Sequence, residues 1–432
     1  MGWNYQLFID GAWTQGAADE AITVIDPATE ETIGEVPEAT LADARDAIAA
    51  ARKAFDEGPW PYLNPAERGR VLERMADALQ ARHEELRKLI VAETGTAGFI
   101  TDAIQCGGAI GIGHYNAREV QRLVEWVEAS PPTGGPNGMG GSALVREPVG
   151  VVAAITPFNF PFMLNMVKVF PALAVGCSVV LKPHPWTPLD AFEIARAAEE
   201  AELPPGVLNV ITGHVEVGDE LTGNPLVDMI TFTGSTATGR RIMSRAGEQI
   251  KRVQLELGRK SAQVILGDVP EAVVRSIGFG AVLVHCGQGC ALQTRLLMPE
   301  HLMDAYLDGV KAAAAHVVVG DPRDLATVRA GRGGHARHRR QGAGASEERL
   351  LLRAHRAGRP QRDAHRAGGD LRPGADGDSV LGQGRRCGAY RQRFHLRLER
   401  RDDGGQYRPC LQRGATHPHR HHHRGRPGAG LG

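Results

Sequence analysis

The sequence predicts an α/β protein: a Rossmann-like parallel sheet covered by helices on both faces, joined to a second α/β unit. Two observations carry that expectation. From Val149 onward, short apolar and partly β-branched runs alternate with stretches at helical spacing, the rhythm of βαβ units. The chain is also 432 residues long and 42% hydrophobic, enough for two or more domains with a sizeable core.

Taken in order, Gln6–Ile9 followed by Asp10-Gly11 reads as a short hairpin, with Thr23-Val24-Ile25 as its neighbour. Leu41, Ala44, Ile48, Ala51 and Phe55 fall on one helical face. Asn64-Pro65-Ala66-Glu67 supplies an N-cap, a proline at the first helical position and a capping-box glutamate. Val71, Met75 and Leu79, then Leu86 and Ile90, continue the helical pattern, and Val120, Leu123, Val124 and Val127 suggest a further helix. The Pro- and Gly-rich stretch 131–138 reads as a linker or protruding arm. Strands are expected at 149–155, 178–181, 207–211, 229–232 and 253–257, with helices at 163–175, 189–201, 217–222 and 239–246 between them. Residues 295–298 then read as a strand and 301–315 as a helix.

Composition narrows the class. No run of 18 apolar residues offers a membrane span, and the first residues lack the charged-then-apolar pattern of a signal peptide. Six unevenly spaced cysteines read as reduced thiols of a cytoplasmic protein. The net charge of zero conceals a split. Residues 1–325 hold 26 Lys and Arg against 41 acids, net −15, whereas residues 326–432 hold 24 Arg, no Lys and 9 acids, net +15.

Several loops carry chemistry. Thr231–Gly239 passes from a strand into a helix, so Gly234 and Ser235 sit where backbone N–H groups can seat a pyrophosphate. An ordinary serine N-cap with a turn glycine explains the same residues, and no G-x-G-x-x-G fingerprint is present. Lys182 follows a strand, at the end where α/β sheets bind ligands, and reads as a ribose contact or a solvated loop lysine. Asn159, in a Pro-braced loop after another strand, either aims an amide at a developing oxyanion or bonds its own turn. The 35-residue segment Glu256–Cys290 has a carboxylate suited to base catalysis at one end and a thiol flanked by Gly287 and Gly289 at the other. His285, Cys286 and Cys290 lack the second ligand pair of a zinc site, and His285 reads as packing.

Together T-P-x-N-x-P, L-K-P, F-T-G-S-T-x-x-G, L-E-L-G-x-K-S and G-Q-x-C resemble the aldehyde dehydrogenase superfamily over residues 4–325, in its order and near its spacing. The resemblance implies a cofactor domain at 1–128 and 146–257, an oligomerisation arm at 129–145 and an incomplete catalytic domain at 258–325. It implies Cys290 as nucleophile, Asn159 as oxyanion donor and Glu256 as the base that admits water. Thr156, Pro157, Phe158, Lys182, His184, Gly213, Gly218, Phe232, Gly234, Ser235 and Leu257 would form the cofactor site. Phe158, Phe162 and Met166 would line an apolar substrate pocket. Family members act on small aldehydes with NAD or NADP, without a catalytic metal, as homodimers or homotetramers. Pro185 stands where many NAD-preferring members carry an acid, so NAD is expected and NADP is left open. Relatives that pass the acyl group to coenzyme A tend to lack the carboxylate that Glu256 supplies.

Residues 326–432 match no family segment as written. One reading is a disordered basic tail, nucleic acid its conceivable but unexpected partner. The preferred reading is a one-base slip of frame in a GC-rich gene. Arg329–Gly333 can be encoded so that the frame one base later reads Gly-Pro-Val-Val, and Gly369–Gly374 so that it reads Glu-Ile-Phe-Gly-Pro-Val. The same frame gives a family-like segment from Arg385 to Arg401. A mostly irregular tail, an unpaired sheet edge and an inactive or poorly soluble chain are the expected consequences.

Overall fold

In the computed structural model the described residues are 2–120, 122, 124–136, 138–276, 284–315, 317–325, 329–330 and 397–398. A seven-stranded sheet holds most of them together. Its strands are β1 (Leu7–Ile9), β2 (Ala12–Thr14), β3 (Val151–Ile155), β4 (Ser178–Lys182), β5 (Leu208–Val210), β6 (Met229–Gly234) and β7 (Arg252–Leu257), in spatial order β7-β6-β3-β4-β5-β1-β2. The five strands from β7 to β5 are mutually parallel, and the β1–β2 hairpin joins antiparallel at the β5 edge. Asp10 and Gly11 turn that hairpin with φ of 52° and 75°, the left-handed pair a tight primed turn demands. The expected neighbour of the hairpin is elsewhere. Ala21–Ile25 pairs with Thr32–Pro37 in a separate sheet, because Ala12–Thr14 is two residues from β1 and closes the turn first.

Both faces of the parallel strands are buried, which explains their apolar runs. Val152, Ala154, Val179 and Leu181 point into a core shared with α2 (Pro65–Ala81), α4 (Pro161–Ala174) and α5 (Leu189–Glu200). Val151, Ala153, Val180 and Ile230 face the other way, onto α1 (Leu41–Asp56), α6 (Val215–Gly223) and α7 (Thr236–Glu248). Asn64 and Glu67 form the expected reciprocal cap at the start of α2, a device worth about 1 kcal/mol. The helical pattern from Val71 to Ile90 is two helices. It breaks at Arg82, and α3 (His83–Thr94) then ends on Gly95, whose φ of 66° is the usual left-handed stop.

The segment expected to be helical around 120–127 differs. Helical structure continues past Val120, with Arg122 helical and the Val124 N–H donating to the Val120 carbonyl at 3.1 Å, but Val127–Ala129 is instead a strand paired antiparallel with Ala143–Val145. A second small ladder, Thr133–Gly135 with Gly138–Gly140, continues the arm, and Val127, Met139, Leu144 and Val145 on it are exposed. Beyond β7, β8 (Ala262–Val264) and β9 (Arg295–Leu297) pair in parallel, with α8 (Met303–Ala315) packed close by through Leu302 and Tyr306. Arg397–Leu398 lies parallel beside β9, so that edge is not bare as expected. Arg329–Ala330 pairs in parallel with Val319–Gly320, and the remaining tail expectations concern positions outside the described residues.

Candidate active site

The order β7-β6-β3-β4-β5 places the reversal of chain direction between β3 and β6. Ligands of open α/β sheets bind in the crevice beyond the carboxyl ends of the strands at such a switch point. The loops there are those the sequence singled out: 156–160 after β3, 183–188 after β4, 211–214 after β5, and Gly234-Ser235 after β6.

Loop 156–160 is fixed from below. Thr156 donates its hydroxyl to Asn165 Oδ1 at 2.7 Å, and Asn165 Nδ2 donates to Asp190 Oδ1 at 2.8 Å. Glu93 accepts the backbone N–H groups of Leu189 and Asp190 at 3.0 and 3.2 Å, so it caps α5. Glu93 and Asp190 are both buried, and Asp190 Oδ2 finds no hydrogen-bond partner among the described residues. Burial raises both pKa values, and in Asp190 the neighbouring Glu93 charge adds to it.

The same loop is tied to its neighbours. Phe158 packs against His184 and Trp186, each at 5.3 Å between ring centroids. Trp186 N–H donates to His184 Nδ1 at 3.2 Å. Burial, with Lys182 and His214 nearby, pushes the His184 pKa down to about 4, so the ring is neutral and its proton sits on Nε2.

Asn159 meets the cysteine loop. Its Nδ2 donates to the Gln288 carbonyl at 2.6 Å, two residues before Cys290. Its own carbonyl accepts from His285 Nε2. His285 is more than a packing residue: it is buried at a φ of 56°, and Phe160 lies 4.0 Å from its ring. Burial lowers its pKa to about 4. Gly287, with φ of 77°, turns the chain toward Cys290, whose thiol is free and exposed. The structure therefore brings Asn159 to the cysteine loop.

Glu256 lies on β7, in register with Thr233 of β6, and is exposed. Its electrostatic partner is Lys168, a residue the sequence reading passed over. Lys168 is buried in α4, donates to Thr231 Oγ1 at 2.9 Å, and has its pKa lowered by burial to about 8, with Glu256 opposing that shift. A single charge in the mainly apolar run Phe162–Ala174 was the available signal. Asn159 thus precedes α4 and Glu256 acts on a lysine within it, while no hydrogen bond joins Glu256 to Cys290 among the described residues. Phe162 and Met166 are wholly buried under the site and do not line an open pocket, because they face the core side of α4.

The cofactor candidates divide. Lys182 is buried at the end of β4, its pKa lowered by burial to about 8, and its ammonium makes no hydrogen bond among the described residues. A Cβ on Gly218 would stand 3.9 Å from Lys182 Cε, an ordinary contact, so the start of α6 borders the Lys182 side chain. Gly213 has φ of 118°, and a Cβ would strike Val217 at 2.7 Å. Gly234 is required by the Phe232 ring, 2.4 Å from where its Cβ would be. Leu257 packs on Gly239 in the first turn of α7. Ser235 is the ordinary N-cap of α7, accepting from Thr238 N at 3.1 Å, and leaves the N–H groups of 236 and 237 at the helix start. Thr156 and Pro157 lie at the end of β3, beside this crevice. A buried, unpaired ammonium, tightly held glycines and a helix N-terminus at a switch point fit a dinucleotide. Among the described residues, Glu73, Asp77 and His114 could converge on a cation, but Arg118 already engages Glu73.

Comparison with known proteins identifies the family. The model of the aldehyde dehydrogenase family matches residues 13–344. A geranial dehydrogenase of Castellaniella defragrans is 37% identical over 75% of this chain and 67% of its own length. The NADP/NAD-dependent aldehyde dehydrogenase PuuC of Escherichia coli is 37% identical over 75% of this chain and 65% of its own. Among solved structures, a Mycobacterium tuberculosis aldehyde dehydrogenase complexed with NAD+ superposes with a TM-score of 0.72 at 42% identity, covering 76% of this chain and 67% of that one. The chain belongs to the aldehyde dehydrogenase family, and its fold is that family's α/β fold. It spans about two thirds of the length of the curated relatives it matches.

Proposed function

We propose that this chain is built for the NAD(P)-dependent oxidation of an aldehyde to a carboxylic acid. The observation that carries the reading is the bond from Asn159 to Gln288, which holds an amide donor beside the cysteine loop. The Cys290 thiolate adds to the aldehyde carbon, and the oxyanion is stabilised by the second Asn159 N–H and by the backbone N–H of Cys290. A nicotinamide bound in the crevice supplies the acceptor for the hydride and its two electrons. Loss of hydride restores the carbonyl as a thioester on Cys290. Glu256 then takes a proton from water, which adds to the thioester carbon. The C–S bond breaks, and carboxylic acid and thiolate separate.

Lys182, Gly213, Gly218, Gly234 and the start of α7 would hold the dinucleotide, with Phe158 and His184 forming one wall. The exposed apolar side chains of the arm support self-association as a dimer or tetramer. No helix among the described residues is long and apolar enough to cross a membrane, and a cytoplasmic location is part of the proposal.

The test is reduction of NAD by the purified chain with short and long aldehydes, with and without coenzyme A. Acid release without coenzyme A, lost in Cys290→Ala, supports the reading. Turnover only with coenzyme A would reassign the chain to acyl transfer, and unchanged turnover in Cys290→Ala would overturn the mechanism.

A further inference from the structure

Pro185 leaves no carboxylate on the β4 loop itself. The acids in this corner come from other elements. Thr212, just after β5, donates its hydroxyl to the Pro37 carbonyl, which anchors the segment that carries Glu38. The Gly213 backbone lies against Ala39, where an added Cβ would stand 3.4 Å from the Ala39 carbonyl oxygen. Glu38 Oε1 is 3.7 Å from Nε2 of His214, the residue before α6. Glu216 sits in the first turn of α6, and Gly218 of the same helix borders Lys182.

We propose that Glu38 selects against a phosphate on the adenosine ribose, so that the site takes NAD in preference to NADP. The inference rests on the dinucleotide site described above. Charge decides the sign. The ionisable groups around the corner are Lys182, His184, His214, Glu38 and Glu216, and both carboxylates act on the Lys182 ammonium. His184 is neutral, so the Lys182 ammonium faces two carboxylates. A 2′-phosphate would add about two further negative charges to that surplus. A ribose with both hydroxyls free adds none, and a carboxylate can accept from them.

The experiment is calorimetric titration of the full chain with NAD and with NADP at pH 7.5, for wild type, Glu38→Gln and Glu216→Gln. Wild type should bind NAD more tightly. Glu38→Gln should narrow the gap by about tenfold, mainly through tighter NADP binding, the size of a near-surface interaction with a dianion. Glu216→Gln should move it less, because Glu216 is exposed on α6. An NADP preference in wild type, or an unchanged gap in Glu38→Gln while NAD still binds, would overturn the assignment of Glu38 and leave the cofactor site standing. Failure of both dinucleotides to bind wild type would remove the cofactor site and this inference with it.

Discussion

Lys168→Met isolates the electrostatics of the Glu256 corner. Lys168 is buried on α4 with its pKa lowered from 10.5 to about 8. Between those values the unfolded chain holds a proton that the folded chain has released. Stability therefore rises with pH across that window, and the benefit is lost as pH falls through about 8. The full penalty on the ammonium is about 3 kcal/mol at about 1.4 kcal/mol per pH unit, partly offset by the bond to Thr231. Methionine has similar length and no proton to lose. Urea unfolding of both proteins at pH 7.5 and 9.5 should show wild type gaining about 2 kcal/mol on the variant over that interval. Lys182 carries the same kind of shift but contributes equally to both proteins, so it cancels. Parallel pH dependences would mean that the ammonium is not held in an apolar setting and that its link to Glu256 is of no consequence.

Three further outcomes are expected. Sequencing the coding DNA across codons 320–335 should locate a one-base slip, and the frame-restored protein should exceed the 432-residue form in soluble yield and turnover. Equal solubility and turnover of the two forms would end that account. Asn159→Ala should lower kcat by about 10²–10³-fold, the usual cost of losing one oxyanion donor, with a smaller change in KM. Phe192→Ala should cost about 3–5 kcal/mol in thermal or urea unfolding, because the ring is fully buried and stacks on Tyr5 at 5.4 Å.

Local rules made much of this molecule legible. The Asn64–Glu67 cap, the Asp10-Gly11 turn and the five parallel strands follow from residue type and spacing. What escaped involves partners far apart in sequence. Glu93 and Asp190 lie 97 positions apart, and neither position looks unusual until the helices meet. Lys168 stood out only as a lone charge in an apolar run, which says nothing of Thr231 or Glu256. The pairing of Ala21–Ile25 was misassigned because strand partners depend on which turn closes first. Glu38 could not be placed near Lys182 without the contact between Thr212 and Pro37.

Asn159 is stitched to the cysteine loop at two points, one through its side chain and one through its carbonyl. The two segments are more than 120 residues apart, yet they behave as one mutational unit. A change at His285 removes one of those ties and so alters where the amide points without touching it. Lineages that drift at one of these sites should show compensating drift at the other, and an engineered pocket will tolerate new loops only when both are exchanged as a pair.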